Sequence, residues 1–135
     1  PALDSNPVFG YVADHFQKPA PFEPDVVLDV TDVEDEKIDA LDCHESQMYE
    51  WLPFTFGELD SVPEGEDARR EWLANDGLGH LAANTEMNVA DRFRDELRAR
   101  YGEAAGAVVE HAEAIEISEY GAPITDETRE RLFFW

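Results

Sequence analysis

The stretch DVVLDVTDVEDEKIDALDCHESQMYEWLPF, residues 25–54, joins two different hydrophobic patterns. It opens with a β-branched run over residues 26–30 that shows little alternation, as is typical of a strand buried on both faces. Thr31 and Glu34 then form a capping-box pattern, which predicts a helix from about Asp32 to about Trp51. A strand that leads directly into a capped helix favours an α/β fold.

Helical periodicity divides the side chains of this predicted helix into three groups. One side is apolar, with Ile38, Leu41, Met48 and Leu52. The solvent side carries Asp35, Asp39 and Asp42. A third stripe borders the apolar side and contains Ala40, Cys43, His44, Gln47 and Trp51. His44 and Gln47 are one turn apart and point the same way. The spacing leaves two interpretations open, a core-edge pair that satisfies backbone groups or a pair that lines a site.

The overall composition limits the classes of protein that remain. A chain of 135 residues with 43% hydrophobic and 11% aromatic residues is large enough for one folded domain. The single cysteine, Cys43, excludes an internal disulfide and a cysteine cluster for zinc. No apolar run approaches the roughly 20 residues that a membrane span needs, and no basic-then-apolar leader is present. We therefore expect a soluble, cytoplasmic chain.

The charge is strongly negative. Asp and Glu number 32 against 10 Lys and Arg, a formal net charge of -22. Such a surface repels nucleic acids and anionic membranes, so neither is expected as a partner. Only two of the ten basic residues are lysines. This balance fits either a salt-adapted protein or an ordinary acidic cytoplasmic protein.

Further elements follow from local signals along the chain. Strands are predicted at Val8–Ala13 and Ala112–Ile117, in addition to the run at 26–30. The predicted helices cover 68–74, 86–101 up to Gly102, 104–109, and a short segment that begins at Thr125. A doubly wound sheet of three strands would leave an open edge and little room for covering helices. We therefore expect residues 1–135 to be the C-terminal part of a single larger domain.

The motifs in the opening stretch resemble a known family. DVVLDVTDVEDEKIDALDCHESQ is similar to the later half of the LmbE-like, or PIG-L, N-acetylglucosaminyl deacetylases. HAEAIEI, residues 111–117, resembles the family's Ala-Glu-Ala-Phe strand, with Ile115 in place of the aromatic residue. The resemblance covers most of residues 6–54 and again 110–117. The matching positions in the first segment are Asp29, Val30, Thr31, Lys37, Ala40, Leu41, His44, Ser46 and Gln47.

This resemblance implies a partial Rossmann-like fold, the C-terminal part of a three-layer α/β/α domain. It also implies hydrolysis of the acetamide of an N-acetylated sugar or sugar conjugate, with zinc or another divalent metal as cofactor. The family holds its metal on a His-Pro-Asp-Asp-Glu loop, and this sequence has no such motif. The chain alone is therefore expected to bind no metal and to be inactive. His44 and Gln47 are its expected substrate-binding residues.

Other candidate residues have simpler explanations. Asp14 and His15 follow a predicted strand, where an active site can recruit them, but the pattern favours ordinary surface-loop residues. Glu110, His111 and Glu113 have the residue types of metal ligands without an identified distant ligand. His80 lies in a glycine-broken segment and carries no functional signal. A non-catalytic acidic binding module, or a degenerate relative of the family, is the alternative function.

The salt-adaptation hypothesis predicts a steep salt dependence of stability. Screening of the -22 charge should raise the melting temperature of the chain as KCl increases to molar concentrations. Calorimetry or circular dichroism across a KCl series measures this effect. A flat dependence would contradict salt adaptation and leave the ordinary acidic protein.

Overall fold

A computed structural model of the chain describes residues 4–14, 16–77 and 89–133. These residues form two compact units. The sheet unit contains the described residues up to 31 together with those from 89 onward, and the helical unit contains residues 32–77. No helix in the described ranges is long and apolar enough to cross a membrane.

The secondary structure mixes helices with a small antiparallel sheet, so the expected general α/β class is confirmed. Short 3-10 helices at Thr31–Val33 and Leu59–Ser61 and π-helical turns at Ser46–Trp51 and Leu73–Gly77 lie between the main elements. The main elements, in chain order, are β1 (Gly10–Val12), β2 (Val26–Asp29), α1 (Glu34–Asp42), α2 (Leu52–Phe56), α3 (Glu66–Trp72), α4 (Val89–Arg92), α5 (Arg94–Tyr101), α6 (Glu103–Gly106), β3 (Ala112–Ile117) and α7 (Asp126–Leu132).

The three predicted strands are present and form one sheet in the order β1–β3–β2. Both pairings are antiparallel, with Tyr11 opposite Glu116 and Val27 opposite Ala114. Gly10 weakens the β1 pattern in the sequence, and its packing explains why glycine stands there. A Cβ at Gly10 would lie 2.5 Å from Ile115 Cγ2, so a larger residue would require the Ile115 side chain to move.

Helices α4 and α5 pack on one face of this sheet. The core between them contains Phe22, Val27, Ala90, Phe93, Leu97, Val109, Ala112 and Ala114. The rings of Phe22 and Phe93 lie 5.9 Å apart in a tilted arrangement. Gly106 brings α6 against the end of α5, where a Cβ would clash with the backbone of Leu97. This apolar core holds the central strand β3 in place from one side.

The helix predicted over residues 86–101 is divided in two. Phe93 leaves helical geometry, with φ -117° and ψ 38°, and separates α4 from α5. Its ring is buried in the core, so tertiary packing overrides the local helical pattern. Gly102 ends α5 with φ 90°, as predicted from its position. Residues 86–88 of the prediction lie outside the described residues.

The predicted helix from Asp32 to Trp51 is wrong in its bounds. Residues 31–33 form a 3-10 turn, α1 ends at Asp42, and helical structure resumes after His44. The capping box does not form, because Val33 occupies the N-cap of α1 without a side-chain hydrogen bond. The hydroxyl of Thr31 instead accepts a hydrogen bond from the His111 N–H at 3.3 Å. Thr31 therefore links β2 to the start of β3.

The remaining helix predictions are confirmed with shifted ends. The segment predicted at 68–74 is α3, and the one predicted at 104–109 is α6. Thr125 caps α7 as predicted, since its hydroxyl accepts from the Thr128 N–H at 3.1 Å. Within the helical unit, Ile38, Tyr49 and Leu73 form a second buried cluster. Partly buried Leu41, Met48, Val62 and Trp72 pack against that cluster.

Truncation of Leu97 should strongly destabilise the sheet unit. Its side chain is fully buried, so Leu97→Ala is expected to cost about 2–5 kcal/mol of unfolding free energy. Val108→Ala is the matched control, because Val108 is 73% exposed and its truncation should cost less than about 0.5 kcal/mol. Urea denaturation of both variants measures the difference. Equal losses would contradict the packing of α5 against the sheet.

Candidate functional site

The predicted apolar side of the opening helix is confirmed, and the stripe beside it faces solvent. Ile38 is buried, and Leu41, Met48 and Leu52 are half-buried. His44 and Gln47 are both exposed, and Trp51 is 57% exposed. The structure therefore places the His44 and Gln47 side chains on the outside of the helical unit. Their role in binding substrate stays a prediction.

The helix geometry after Asp42 sets this orientation. The Leu52 N–H donates to Gln47 O, a bond across five residues that widens the turn into a π-helix. Tyr49 is only 4% exposed, and its hydroxyl donates a short hydrogen bond to the Asp42 carboxylate. With Tyr49 turned inward, Gln47 and Trp51 lie on the outer side of the wide turn. The burial of Tyr49 therefore leaves Gln47 and Trp51 on the exposed side of the helix.

The polar side chains of His44 and Gln47 have no hydrogen-bond partner among the described residues. The backbone around His44 is well connected, with its N–H donating to Leu41 O at 2.9 Å. Its carbonyl accepts from the N–H groups of Gln47 and Met48, both at 2.9 Å. The interpretation that these side chains satisfy buried carbonyls is therefore wrong. The strand-to-helix junction is tied by Thr31 instead.

Phe54 extends this surface and was not predicted from the sequence. It is 71% exposed and follows Trp51 by three residues, so the two rings lie on neighbouring turns. We refer to His44, Gln47, Trp51 and Phe54 as the exposed stripe. The stripe combines an imidazole, an amide and two aromatic rings on one surface of the helical unit. In the sequence, the three-residue spacing of Trp51 and Phe54 in WLPF places both rings on one side of a helix. The same spacing also fits a buried helix face, so it does not predict that Phe54 is exposed.

A cluster around Tyr49 supports the stripe from inside. The Trp72 ring lies 6.2 Å from the Tyr49 ring, and the Arg69 guanidinium lies 5.6 Å from the Tyr49 ring centroid. Arg70 bonds Asp39 at 2.6 Å. Burial raises the pKa of the Tyr49 hydroxyl above its usual range, and so do its hydrogen bond to Asp42 and the charge of that carboxylate. Tyr49 therefore remains a neutral donor to Asp42.

The candidate metal ligands do not converge in the structure. In the parts of the chain that the structure describes, no group of three or more His, Cys, Asp or Glu side chains is placed to hold a metal ion. His111 and Glu110 are exposed and Glu113 is half-buried. Asp14 accepts from the Phe16 N–H at 2.9 Å, as in an ordinary surface turn. His15 and His80 lie outside the described residues.

A shallow cavity of about 380 Å³ lies at the outer side of β2 in the sheet unit. Arg129 approaches it from α7 and donates to Asp25 O at 2.6 Å. Arg100 approaches from α5 and donates to Phe133 O at 2.9 Å. The acidic groups of the lining are Asp25 and Glu96, so positive and negative charges offset each other. Sequence reasoning missed this cavity because its residues come from three separate segments.

Neither a protein-family model, a curated protein nor a solved structure matches the chain. The function of the chain must therefore be inferred from its motifs and from their positions in the fold.

The buried Tyr49 predicts a loss of stability at alkaline pH. A raised pKa in the folded state contributes stability that is complete below the ordinary tyrosine pKa of about 10. That contribution declines above about pH 10 and is lost as the pH rises through the folded-state pKa. Tyr49→Phe should therefore show a smaller fall in unfolding free energy between about pH 9 and pH 11. Urea denaturation at each pH measures this slope.

Tyr120→Phe is the matched control, because Tyr120 is 77% exposed. This control should keep the alkaline decline of the wild type. At neutral pH, Tyr49→Phe should cost about 1–3 kcal/mol, since Asp42 loses its donor. An unchanged alkaline slope in Tyr49→Phe would contradict the assigned role of the Tyr49–Asp42 bond.

Proposed function

We propose that this chain is the C-terminal part of an LmbE-like, metal-dependent N-deacetylase. The complete enzyme would hydrolyse the acetamide of an N-acetylated sugar or sugar conjugate, and the fold would be the C-terminal portion of a Rossmann-like three-layer domain. The motif resemblance motivates this proposal, and the pairing of two distant segments supports it.

The supporting observation is that the two resembling segments become neighbours. β2 belongs to the first segment and β3 to the second, and they pair along their lengths from Val26↔Ile115 to Asp29↔Ala112. The Thr31 hydroxyl and the His111 backbone, 80 positions apart, are hydrogen-bonded at this junction. The two resembling segments therefore lie in one sheet, as parts of a single deacetylase domain would.

The exposed stripe has the chemistry of a carbohydrate-contacting wall. Sugars present hydroxyl groups beside apolar ring faces, and binding sites meet them with a few polar groups among aromatic surfaces. His44 and Gln47 supply unsatisfied donors and acceptors, and Trp51 supplies an exposed indole beside them. We assign to His44 and Gln47 the role of binding and orienting the substrate.

The metal requires other residues. The described residues do not fit a zinc site, because no three candidate ligands converge. We therefore derive no catalytic step through a metal from this chain. Its contribution is the wall that positions the sugar, and the metal ligands would belong to parts of the enzyme outside the present sequence.

An acidic, non-catalytic binding module is the second candidate. The specific observation in its favour is the exposure of Trp51 and Phe54, at 57% and 71%, on a unit with many carboxylates. Aromatic residues are enriched in the centres of protein interfaces. A degenerate relative of the deacetylase family would retain such a surface for binding alone. Activity of the complete protein distinguishes the two candidates.

The experiment measures acetate release from N-acetylglucosamine conjugates by the complete enzyme. His44→Ala and Gln47→Ala should each lower kcat/KM about 5- to 10-fold, the effect of losing about one hydrogen bond. Their melting temperatures should change by less than about 2 °C, because both side chains are exposed in the described chain. Glu45→Ala is the control, since Glu45 is also exposed and adjacent but lies outside the exposed stripe.

Two results would contradict this assignment. Variants that lose several degrees but keep wild-type turnover would place both residues in a structural role. A complete protein that releases no acetate from any such conjugate would overturn the deacetylase proposal and leave the binding module.

A further inference from the structure

Strand β1 forms an edge of the sheet, and in the described parts of the chain no other strand pairs with its outer side. Ala13 N–H donates to Ala114 O at 3.1 Å, and Phe9 O accepts from Ser118 N–H at 2.9 Å. Alternate residues of an antiparallel strand bond to the same neighbour, so residues 9, 11 and 13 face β3. The backbone N–H and C=O groups of Gly10 and Val12 therefore point away from the sheet. Those groups have no hydrogen-bond partner among the described residues.

The side chains at this edge are large and apolar, yet they are exposed. Phe9 is 51% exposed, Tyr11 49% and Val12 70%. An exposed apolar edge strand is a template for pairing with another strand. Soluble proteins normally protect such edges with charged residues, prolines or covering elements. None of these devices stands within β1 itself, whose sequence is GYV.

The charge pattern indicates what covers the edge. Residues 5–13, SNPVFGYVA, contain no Asp, Glu, Lys, Arg or His in a chain where 31% of residues are charged. Charged residues are depleted at the centres of protein interfaces. A partner selected by opposite charge would find no complementary charge on this segment. An equally uncharged apolar strand fits it, and a second copy of β1 is such a strand.

The opposite edge of the sheet is partly covered. The Asp29 N–H, on the outer side of β2, donates to the Tyr101 hydroxyl at 3.1 Å. Helix α5, which carries Tyr101, packs beside β2. Pairing of two β1 edges about a two-fold axis uses the β1 edge of each copy once. Such an assembly stops at two copies.

We propose that two copies of this chain dimerise by antiparallel pairing of their β1 edges, which joins two three-stranded sheets into one. The bonds across the interface are made by the outward N–H and C=O groups of Gly10 and Val12. Phe9, Tyr11 and Val12 lose their exposed apolar surface to the second copy. Because each copy carries a charge of -22, repulsion opposes association and salt strengthens it by screening. This proposal concerns the 135-residue chain, and it gives the β1 edge to a second copy instead of to further strands of a larger domain.

Sedimentation velocity of the full 135-residue chain tests the dimer over a protein concentration series. The wild type should change from mainly monomer at about 0.1 M KCl to mainly dimer at about 2 M KCl. Val12→Lys should raise the dimer dissociation constant at least about 10-fold, because it places a charge in the interface. Val108→Lys is the matched control, since Val108 is 73% exposed, Val12 is 70% exposed, and both changes alter the net charge equally.

Val12→Pro is a second variant that acts on the backbone. It removes the outward N–H at residue 12 and leaves the hydrogen bonds from β1 to β3 in place. It should also weaken the dimer at least about 10-fold while the far-ultraviolet circular dichroism stays that of the wild type. Dimer loss in both Val12 variants and its retention in Val108→Lys support the proposal.

Three outcomes overturn it. A wild type that is monomeric at every salt concentration leaves the edge to a different polypeptide segment. A dimer that persists in both Val12 variants uses another surface. Equal weakening by Val12→Lys and Val108→Lys shows a general charge effect rather than an interface at β1.

Discussion

The antiparallel pairing of β3 with both other strands is the constraint on which the sheet unit depends. β3 lies between β1 and β2, so this strand from the later part of the chain joins two strands from the first part into one sheet. Ala114 is fully buried, and its small side chain lets α4 and α5 pack closely against the sheet. The Thr31 hydroxyl closes the end of this pairing at His111. Both motif segments therefore depend on one central strand.

Elements with strong local signals were predictable from the sequence. The β-branched run became β2, Gly102 ended a helix in a left-handed backbone conformation, and Thr125 capped α7. Each of these signals depends on residues only a few positions apart. The division at Phe93 was not predictable in this way, because the gain comes from burying its ring against residues distant in sequence. The cavity beside β2 has the same non-local origin.

The candidate site shows where periodicity fails. The sequence pattern places His44 and Gln47 on one stripe of the helix, but it does not give the direction in which this stripe points. A regular helix of 3.6 residues per turn places His44 and Gln47 beside the apolar side. The break after Asp42 and the π-helical turn rotate the following residues, and the buried Tyr49 fixes the new orientation through Asp42. The cause is the contact between Tyr49 and Asp42, which the spacing of apolar residues does not reveal.

The two exposed apolar surfaces differ in the chemistry that they offer. The exposed stripe places polar groups with unused hydrogen-bonding capacity beside Trp51, so it suits a ligand that is partly polar. The β1 edge offers backbone donors and acceptors between uncharged side chains, so it suits another strand. In a chain with a net charge of -22, repulsion acts against association everywhere on the surface. Residues 5–13 carry no charge, so charge repulsion is weaker at this segment than elsewhere on the surface. The segment includes β1, whose outward backbone N–H and C=O groups can pair with another strand.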